Sequence, residues 1–348
     1  MPDSILPCWL NSITFVIQSI LLQTAQQNLR VQKIITGIGI LLFFIKLGAW
    51  YLTHSVAILT DALEGIVNVV AGLIGVYSLY VSAKPKDRDH PYGHGKAEFI
   101  SAAVEGTLII VAAILVIYKA IKSFFFHEEL NQLDFGILLV AGSGIVNYLM
   151  GLWCIRTGNK NRSAALIASG KHLQTDTYTT AGIILGLILL YFFKYQWIDS
   201  CVACLFAIII AITGYKIMRS SIAGIMDEVD TKLLDKMVST LNVNRRENWI
   251  DLHNLRIIKY GGTLHLDCHL TVPWYLNVRE AHKEIEELSA MVKNEFGGSM
   301  ELFVHSDPCL EFSCRICTKQ DCNVRQHPFE RKIIWTMENI STDNKHHL

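Results

Sequence analysis

The sequence predicts an α-helical membrane protein with six transmembrane helices, followed by a cytosolic α+β domain of ferredoxin-like type. Three observations carry this reading. Of 348 residues, 51% are hydrophobic and only 18% charged, with a mean hydropathy of +0.32, which is more apolar than an ordinary soluble chain. The apolar residues fall in six long runs. From Met226 onward the texture turns charged and its apolar periods change. The 31 basic residues balance 31 acidic ones, so no polyanion such as a nucleic acid is expected as a partner.

The runs are Ile35–Leu52, Val56–Val81, Ala97–Ile121, Phe135–Ile155, Ala164–Phe193 and Trp197–Met218. Each is near or above the ~18–20 residues that cross a bilayer as helix. Arg30 and Lys33 precede the first run. Lys84, Lys86, Arg88 and Lys96 lie between the second and third, and Arg156, Lys160 and Arg162 between the fourth and fifth. The opposite connections hold little beyond Lys122 and Lys194, so the positive-inside bias places both termini in the cytosol. The expected location is a cell membrane, that of a bacterial inner membrane, with lipid as its surroundings. An earlier apolar stretch, Ile5–Leu22, is broken by Asn11 and Gln18, and Asp3 stands where a signal peptide would be basic. It is not counted as a span but as an amphipathic interfacial helix, or as the product of an upstream start.

In the soluble part, Asp230–Leu241 and Val278–Phe296 read as helices, the second with Ala281, Ile285, Leu288 and Val292 on one face. Leu252–Tyr260 and Thr263–Val272 read as strands joined at Gly261-Gly262, and Glu301–His305 as a third. Helix, strand, strand, helix, strand makes a small α+β unit. The expected organisation is an N-terminal segment (1–30), a six-helix membrane domain (31–222), a cytosolic domain (223–308) and a tail containing Cys and His (309–348).

Ionisable groups inside spans are expensive and mark pathways or partners. Glu64 and Asn68 in the second span, and His172 and Asp176 in the fifth, are each spaced i,i+4, so each pair projects from one side of its helix. Four groups can therefore converge as a mixed N/O set suited to a divalent transition ion, with zinc favoured by the imidazole and tetrahedral geometry. A lone intramembrane Asn or His is more often an interhelical hydrogen bonder; two matched pairs argue for a ligand set. Asp61 continues the same face and either lines the exit or caps the helix. Lys46, Glu98 and Glu105 are expected to neutralise one another.

On these residues the chain resembles the cation diffusion facilitator family. The resemblance rests on Ser55-Val-Ala-Ile-Leu-Thr-Asp-Ala-Leu-Glu64, on His90-Pro-Tyr-Gly-His-Gly-Lys-Ala-Glu98 and on His172-x-x-x-Asp176, and it runs from about Gln32 to Cys309. It implies a homodimer in which Glu64, Asn68, His172 and Asp176 form the transport site and metal leaves the cytosol in exchange for inward protons. Imidazole titrates near neutrality, and metal binding displaces protons from imidazole and carboxylates, which gives that exchange a physical basis. Zinc members usually place His or Asp where this chain has Glu64, and Asp where it has Asn68. Zinc is expected as the bound and transported ion, with iron, cobalt, cadmium and manganese open. The resemblance further implies a peripheral loop site at Asp87, His90 and His94, and an ion pair of Lys96 with Asp227 at the hinge. It also implies a binuclear site of His253, His269, His282, His305 and Asp307 at the dimer interface, in a metallochaperone-like domain. The period of two independently puts His265, Asp267 and His269 on one strand face.

The tail adds Cys314-x2-Cys317-x4-Cys322-x4-His327, a spacing that suits a zinc site of those four residues. Cys154, Cys201, Cys204 and Cys268 read as apolar fillers. No nucleophile elbow or phosphate loop points to an enzyme. The competing reading is a membrane metal sensor, or a metal-binding protein without coupled transport.

Overall fold

The computed structural model describes residues 8–53, 56–125, 134–193, 197–297 and 300–348. Within these helices, the side chains of 8–22, 49–50, 52–53, 56–64, 119, 123–125, 134–140, 183–184, 186–193 and 197–200 are outside the description. The chain forms two compact units, Met1–Met226 and Asp227–Leu348.

The first unit contains six long helices: α1 (Cys8–Thr53), α2 (Val56–Ser82), α3 (Ala97–Phe125), α4 (Asp134–Asn161), α5 (Ala164–Phe193) and α6 (Trp197–Ile225). Helix α1 runs through residue 30 without a break, because no Gly or Pro interrupts residues 8–36. Residues 8–30 thus extend the first helix instead of forming a separate segment. Among the described residues, four windows are long and apolar enough to cross a membrane: Gln23–Gly48, Gly65–Ser82, Ala97–Lys122 and Cys201–Ile225. Helices α4 and α5 have 28 and 30 residues, and α5 carries a polar stretch from Ser169 to Thr180. Phe44, Leu73, Leu115, Ile145 and Leu205 stand exposed, a surface that suits an apolar medium.

Glycines set the closest helix approaches. A Cβ on Gly106 of α3 would lie 2.8 Å from the Met218 backbone nitrogen of α6, and one on Gly214 would lie 2.9 Å from the Gly106 carbonyl. Gly151 and Gly170 bring α4 and α5 together in the same way, each 2.8 Å from the other's carbonyl by that measure. Small residues at helix crossings permit such contact.

The second unit opens with α7 (Thr231–Val243), capped by the Asp230 carboxylate, which accepts from the Lys232 and Leu233 N–H groups. Strands β1 (Asp251–Tyr260) and β2 (Thr263–Val272) pair antiparallel, and β3 (Met300–Pro308) joins β2 in parallel after α8 (Val278–Phe296). The two-residue turn at Gly261-Gly262 places Gly261 at φ 58°, as a tight hairpin requires. Helix α8 begins with a capping box of Asn277 and Glu280. Leu288 and Val292 of α8 pack with Leu252, Leu264, Leu266 and Leu270 from the sheet.

Residues 309–348, expected as a separate tail, fold into this unit. Trp335 and Ile340 sit in its core. Asn242 donates to the Trp335 carbonyl at 2.7 Å and accepts from its N–H at 3.1 Å, and Arg245 lies 4.0 Å above its ring. The buried apolar residues of this segment, Ile316, Trp335 and Ile340 among them, are scattered instead of periodic, which a reading by periodicity passes over.

Candidate metal centres

Helices α2 and α5 bring three of the four expected intramembrane ligands together. The Asn68 amide donates to Asp176 Oδ2 at 2.6 Å, and its carbonyl oxygen faces His172 Nε2 at 2.9 Å. His172 Nε2 lies 3.9 Å from Asp176 Oδ1. The spacing of four residues stacks His172 and Asp176 on one face of α5. Glu64 and Asp61 belong to α2, with side chains outside the described residues.

A pocket adjoins these groups. It is lined by Asn68 and His172 together with Gln32, Thr36, Glu105 and Ser169. Ser169 donates to Glu105 at 2.6 Å and accepts from Gln32 at 3.1 Å. Gly72 and Gly75 admit Thr36 and Gln32 against α2, since a Cβ there would come within 2.9 and 2.6 Å of those side chains. Gln32 Oε1, Thr36 Oγ1, Glu105 Oε2 and His172 Nδ1 are buried without a partner among the described residues, and polar atoms so placed suit bound water. The buried carboxylates Glu98 and Glu105, expected to be neutralised with Lys46, accept from hydroxyls instead. Glu98 takes Ser82 at 3.0 Å and Ser163 in a shorter contact, while Glu105 takes Ser169.

Asp87, His90 and His94 form a second group in the α2–α3 loop. Asp87 Oδ1 is 3.1 Å from His90 Nδ1, and Oδ2 is 3.4 Å from His94 Nε2. The His90 backbone N–H holds the Asp87 carboxyl below its ordinary range, helped by the two rings. Lys96 donates to the Ile225 carbonyl at 3.3 Å; Asp227, its expected partner, opens the second unit in a left-handed conformation, φ 57°.

In the second unit the strand register builds the third group. His253 of β1 pairs with His269 of β2, which pairs with His305 of β3, so three imidazoles stand in a row across the sheet. Asp307 follows His305 by two residues and shares its face. Its carboxylate lies 3.4 Å from His253, 3.2 Å from His269 and 3.7 Å from His305. His282 does not join this cluster within the chain. It lies exposed on α8, 3.6 Å from Glu286. His265, on the same strand face as His269, is buried 3.3 Å from Glu301.

Two domain profiles match this arrangement. One, described as the cation efflux transmembrane domain, matches residues 33–226, and the other, the cytoplasmic domain of cation efflux proteins, matches residues 230–309. The chain belongs to the cation diffusion facilitator family. Members of this cation efflux family are transporters, not enzymes. Similar proteins include an uncharacterized transporter of Synechocystis sp., 28% identical over 264 residues, or 76% of this chain and 85% of that one. The manganese efflux system protein MneS of Bacillus subtilis is 26% identical over 264 residues, 76% of this chain and 90% of that protein. The cation-efflux pump FieF of Citrobacter koseri is 28% identical over 286 residues, 79% and 90%.

This cation diffusion facilitator surrounds its cytoplasmic His/Asp cluster with groups that sequence reasoning missed. Asp251 Oδ2 lies 3.5 Å from His253 Nδ1, the ring nitrogen facing away from Asp307, and places a negative charge behind the imidazole. His346 returns from the C-terminus to put Nδ1 2.5 Å from Asp251 Oδ1 and to donate its backbone N–H to Oδ2 at 2.9 Å. Burial works to raise the Asp251 carboxyl, but the hydrogen bonds from His253 and His346 hold it well below the carboxylate range. Lys345 brings its ammonium to 3.9 Å from Asp307. His346 lies 95 residues beyond Asp251, and no period links the two. In the tail itself, Cys314, Cys317 and Cys322 line one pocket with Cys309, whereas His327 is absent from its lining.

Proposed function

We propose that this cation diffusion facilitator exports zinc from the cytosol in exchange for protons, as a homodimer with six spans per chain and both termini cytosolic, in a bacterial inner membrane. The observation that carries the reading is the meeting of Asn68, His172 and Asp176 inside the helix bundle. An amide oxygen, an imidazole nitrogen and a carboxylate, with Glu64 one turn before Asn68, form the donor set of a divalent transition-metal ion.

In the metal-free site the Asn68 N–H occupies the carboxylate oxygen that an ion would take. Zinc replaces that hydrogen bond and draws the Asn68 carbonyl, His172 Nε2 and Asp176 onto itself. Three of the four groups, Glu64, His172 and Asp176, can carry a proton; Asn68 cannot. Protons arriving at these groups from the other side lower their hold on the ion, and that competition is the coupling. The adjoining pocket, with its buried polar atoms, supports a hydrated approach to the site. The His253, His269, His305 and Asp307 cluster serves as a cytosolic metal site, with His282 supplied across the dimer. The Asp87, His90 and His94 group is a peripheral one.

Manganese is the second reading. It is favoured by a relative named for manganese efflux and by Asn68, whose oxygen suits a harder ion than a thiolate or imidazole would. Reconstitution into liposomes under an imposed pH gradient decides between them. Zinc flux exceeding manganese flux, dependent on the gradient and lost in Asp176→Ala, is the expected result. Flux independent of the gradient removes the antiport, and metal binding without flux leaves a sensor.

A further inference from the structure

Four sulfurs share the wall of one pocket in the cytoplasmic unit. Cys309, Cys314, Cys317 and Cys322 line it together with Tyr275 and Arg325. Their spacing, Cys309-x4-Cys314-x2-Cys317-x4-Cys322, draws them from the residue after β3, from a short 3-10 turn (Glu311–Arg315) and from the loop beyond. All four are free thiols, and the cytosol keeps them so. Four cysteines within fourteen residues are a ligand set for tetrahedral zinc.

The surroundings of the sulfurs point the same way. The Trp274 backbone N–H donates to Cys309 Sγ at 3.4 Å, and that of Gln326 donates to Cys314 Sγ at 3.5 Å. Lys319 and Tyr275 line the same pocket as the sulfurs of Cys317 and Cys322. Two of the four sulfurs, Cys309 and Cys314, therefore accept from a backbone N–H. A neutral thiol is a weak acceptor that gains little from one, whereas the negative charge of a metal-bound thiolate is stabilised by it. Arg325 fixes the loop by donating to the carbonyls of Cys314 at 2.7 Å, Cys317 at 3.1 Å and Lys319 at 2.6 Å, and its positive charge lies against the group. His327, which spacing suggests as the fourth ligand, offers Arg325 only its carbonyl, at 3.5 Å.

We propose that Cys309, Cys314, Cys317 and Cys322 bind one zinc ion as a tetrathiolate site that pins the C-terminal segment to the end of β3. Four S–H bonds break, four Zn–S bonds form, and the protons go to solvent. The sulfurs stand wider apart than the ligand atoms of the His/Asp groups, so binding draws them together. Since β3 also carries His305 and Asp307, the ion anchors the strand that presents the cytoplasmic cluster. This site is independent of the transport reaction, and its occupancy survives a failure of the antiport reading.

The test uses the full chain in detergent under reducing conditions, stripped by a chelator and reloaded with cobalt(II). Thiolate-to-cobalt charge-transfer absorption reports sulfur ligation, to which the His/Asp groups contribute nothing. The native chain is expected to show this absorption, and Cys309→Ser to reduce it by about a quarter as one of four thiolates is lost. His327→Ala should leave it unchanged. Absence of the band in the native chain overturns the site, as does a band lost in His327→Ala and kept in Cys309→Ser. Should Cys309→Ser not fold, alkylation of the native zinc-loaded chain, mapped by mass spectrometry, decides the point. Joint protection of the four cysteines is expected, and free alkylation of Cys309 overturns the assignment.

Discussion

The Asn68 amide donates to the Asp176 carboxylate across 2.6 Å, so a neutral side chain occupies one oxygen of a carboxylate proposed as a metal ligand. The bond links α2 to α5, and on the proposed transport reading its exchange for a metal ion is the local event on which affinity turns. Asn68→Asp is expected to tighten zinc binding about tenfold near neutral pH by adding a charged ligand, and to steepen the pH dependence, because two close carboxylates share a proton that metal must displace. Asp176→Ala should reduce zinc flux by at least about 100-fold, more than the loss of an outer-shell partner. Initial rates in liposomes at several external pH values measure both.

Asp251 lies beside His253, a proposed ligand, without belonging to the proposed ligand set. Asp251→Asn keeps the shape and removes the charge behind His253, so zinc affinity of the cytoplasmic cluster is expected to fall about 10- to 100-fold. Lys345→Ala, which removes an ammonium beside Asp307, should raise that affinity severalfold. Competition with a fluorescent chelator on the purified full chain reads both, and equal affinities in all three proteins would contradict this influence of charge.

The His346–Asp251 contact makes docking of the C-terminus depend on pH. The hydrogen bond that His346 donates to the Asp251 carboxylate raises the His346 pKa against the opposing effect of burial. A histidine raised above about 6.5 contributes fully below that value and loses its contribution as pH rises through the folded pKa. Asp251, held low, contributes above about 3.9 and fails only as pH falls through its lower folded value. Docking is therefore complete between those limits and weakens as pH climbs from about 6.5 upward. Hydrogen exchange of residues 339–346 should quicken over that range beyond its intrinsic rise with pH, and His346→Gln should abolish the excess.

Trp335 ties the C-terminal segment to the core, with 1% of its surface exposed. Trp335→Ala is expected to destabilise the cytoplasmic unit by about 3–5 kcal/mol, read as a lowered melting transition of the full chain in detergent. A change within error would mean that the segment is not part of the folded core.

That His172 and Asp176 share a helix face was legible in the sequence because four-residue spacing fixes it, whereas their meeting with Asn68 depends on how α5 packs against α2, which spacing does not contain. The strands were legible from their period of two, yet the register that aligns His253, His269 and His305 depends on a hairpin and a parallel crossover that periodicity does not contain. Asp251, Lys345, His346 and Cys309 were not identified as site groups because their roles arise from the path of residues 309–348. The hydroxyl partners of Glu98 and Glu105 were missed for a related reason: serine gives no sign in the sequence of which helix it will face.

The contact of Gly106 with Gly214 has a mechanical meaning. With no side chain cushioning the crossing, α3 and α6 meet main chain to main chain, and neither can take on a side chain there without being pushed off the other. The proposed ligands Asn68, His172 and Asp176 belong to other helices, α2 and α5. A bulkier residue at position 106 would therefore wedge α3 from α6 without replacing any of them.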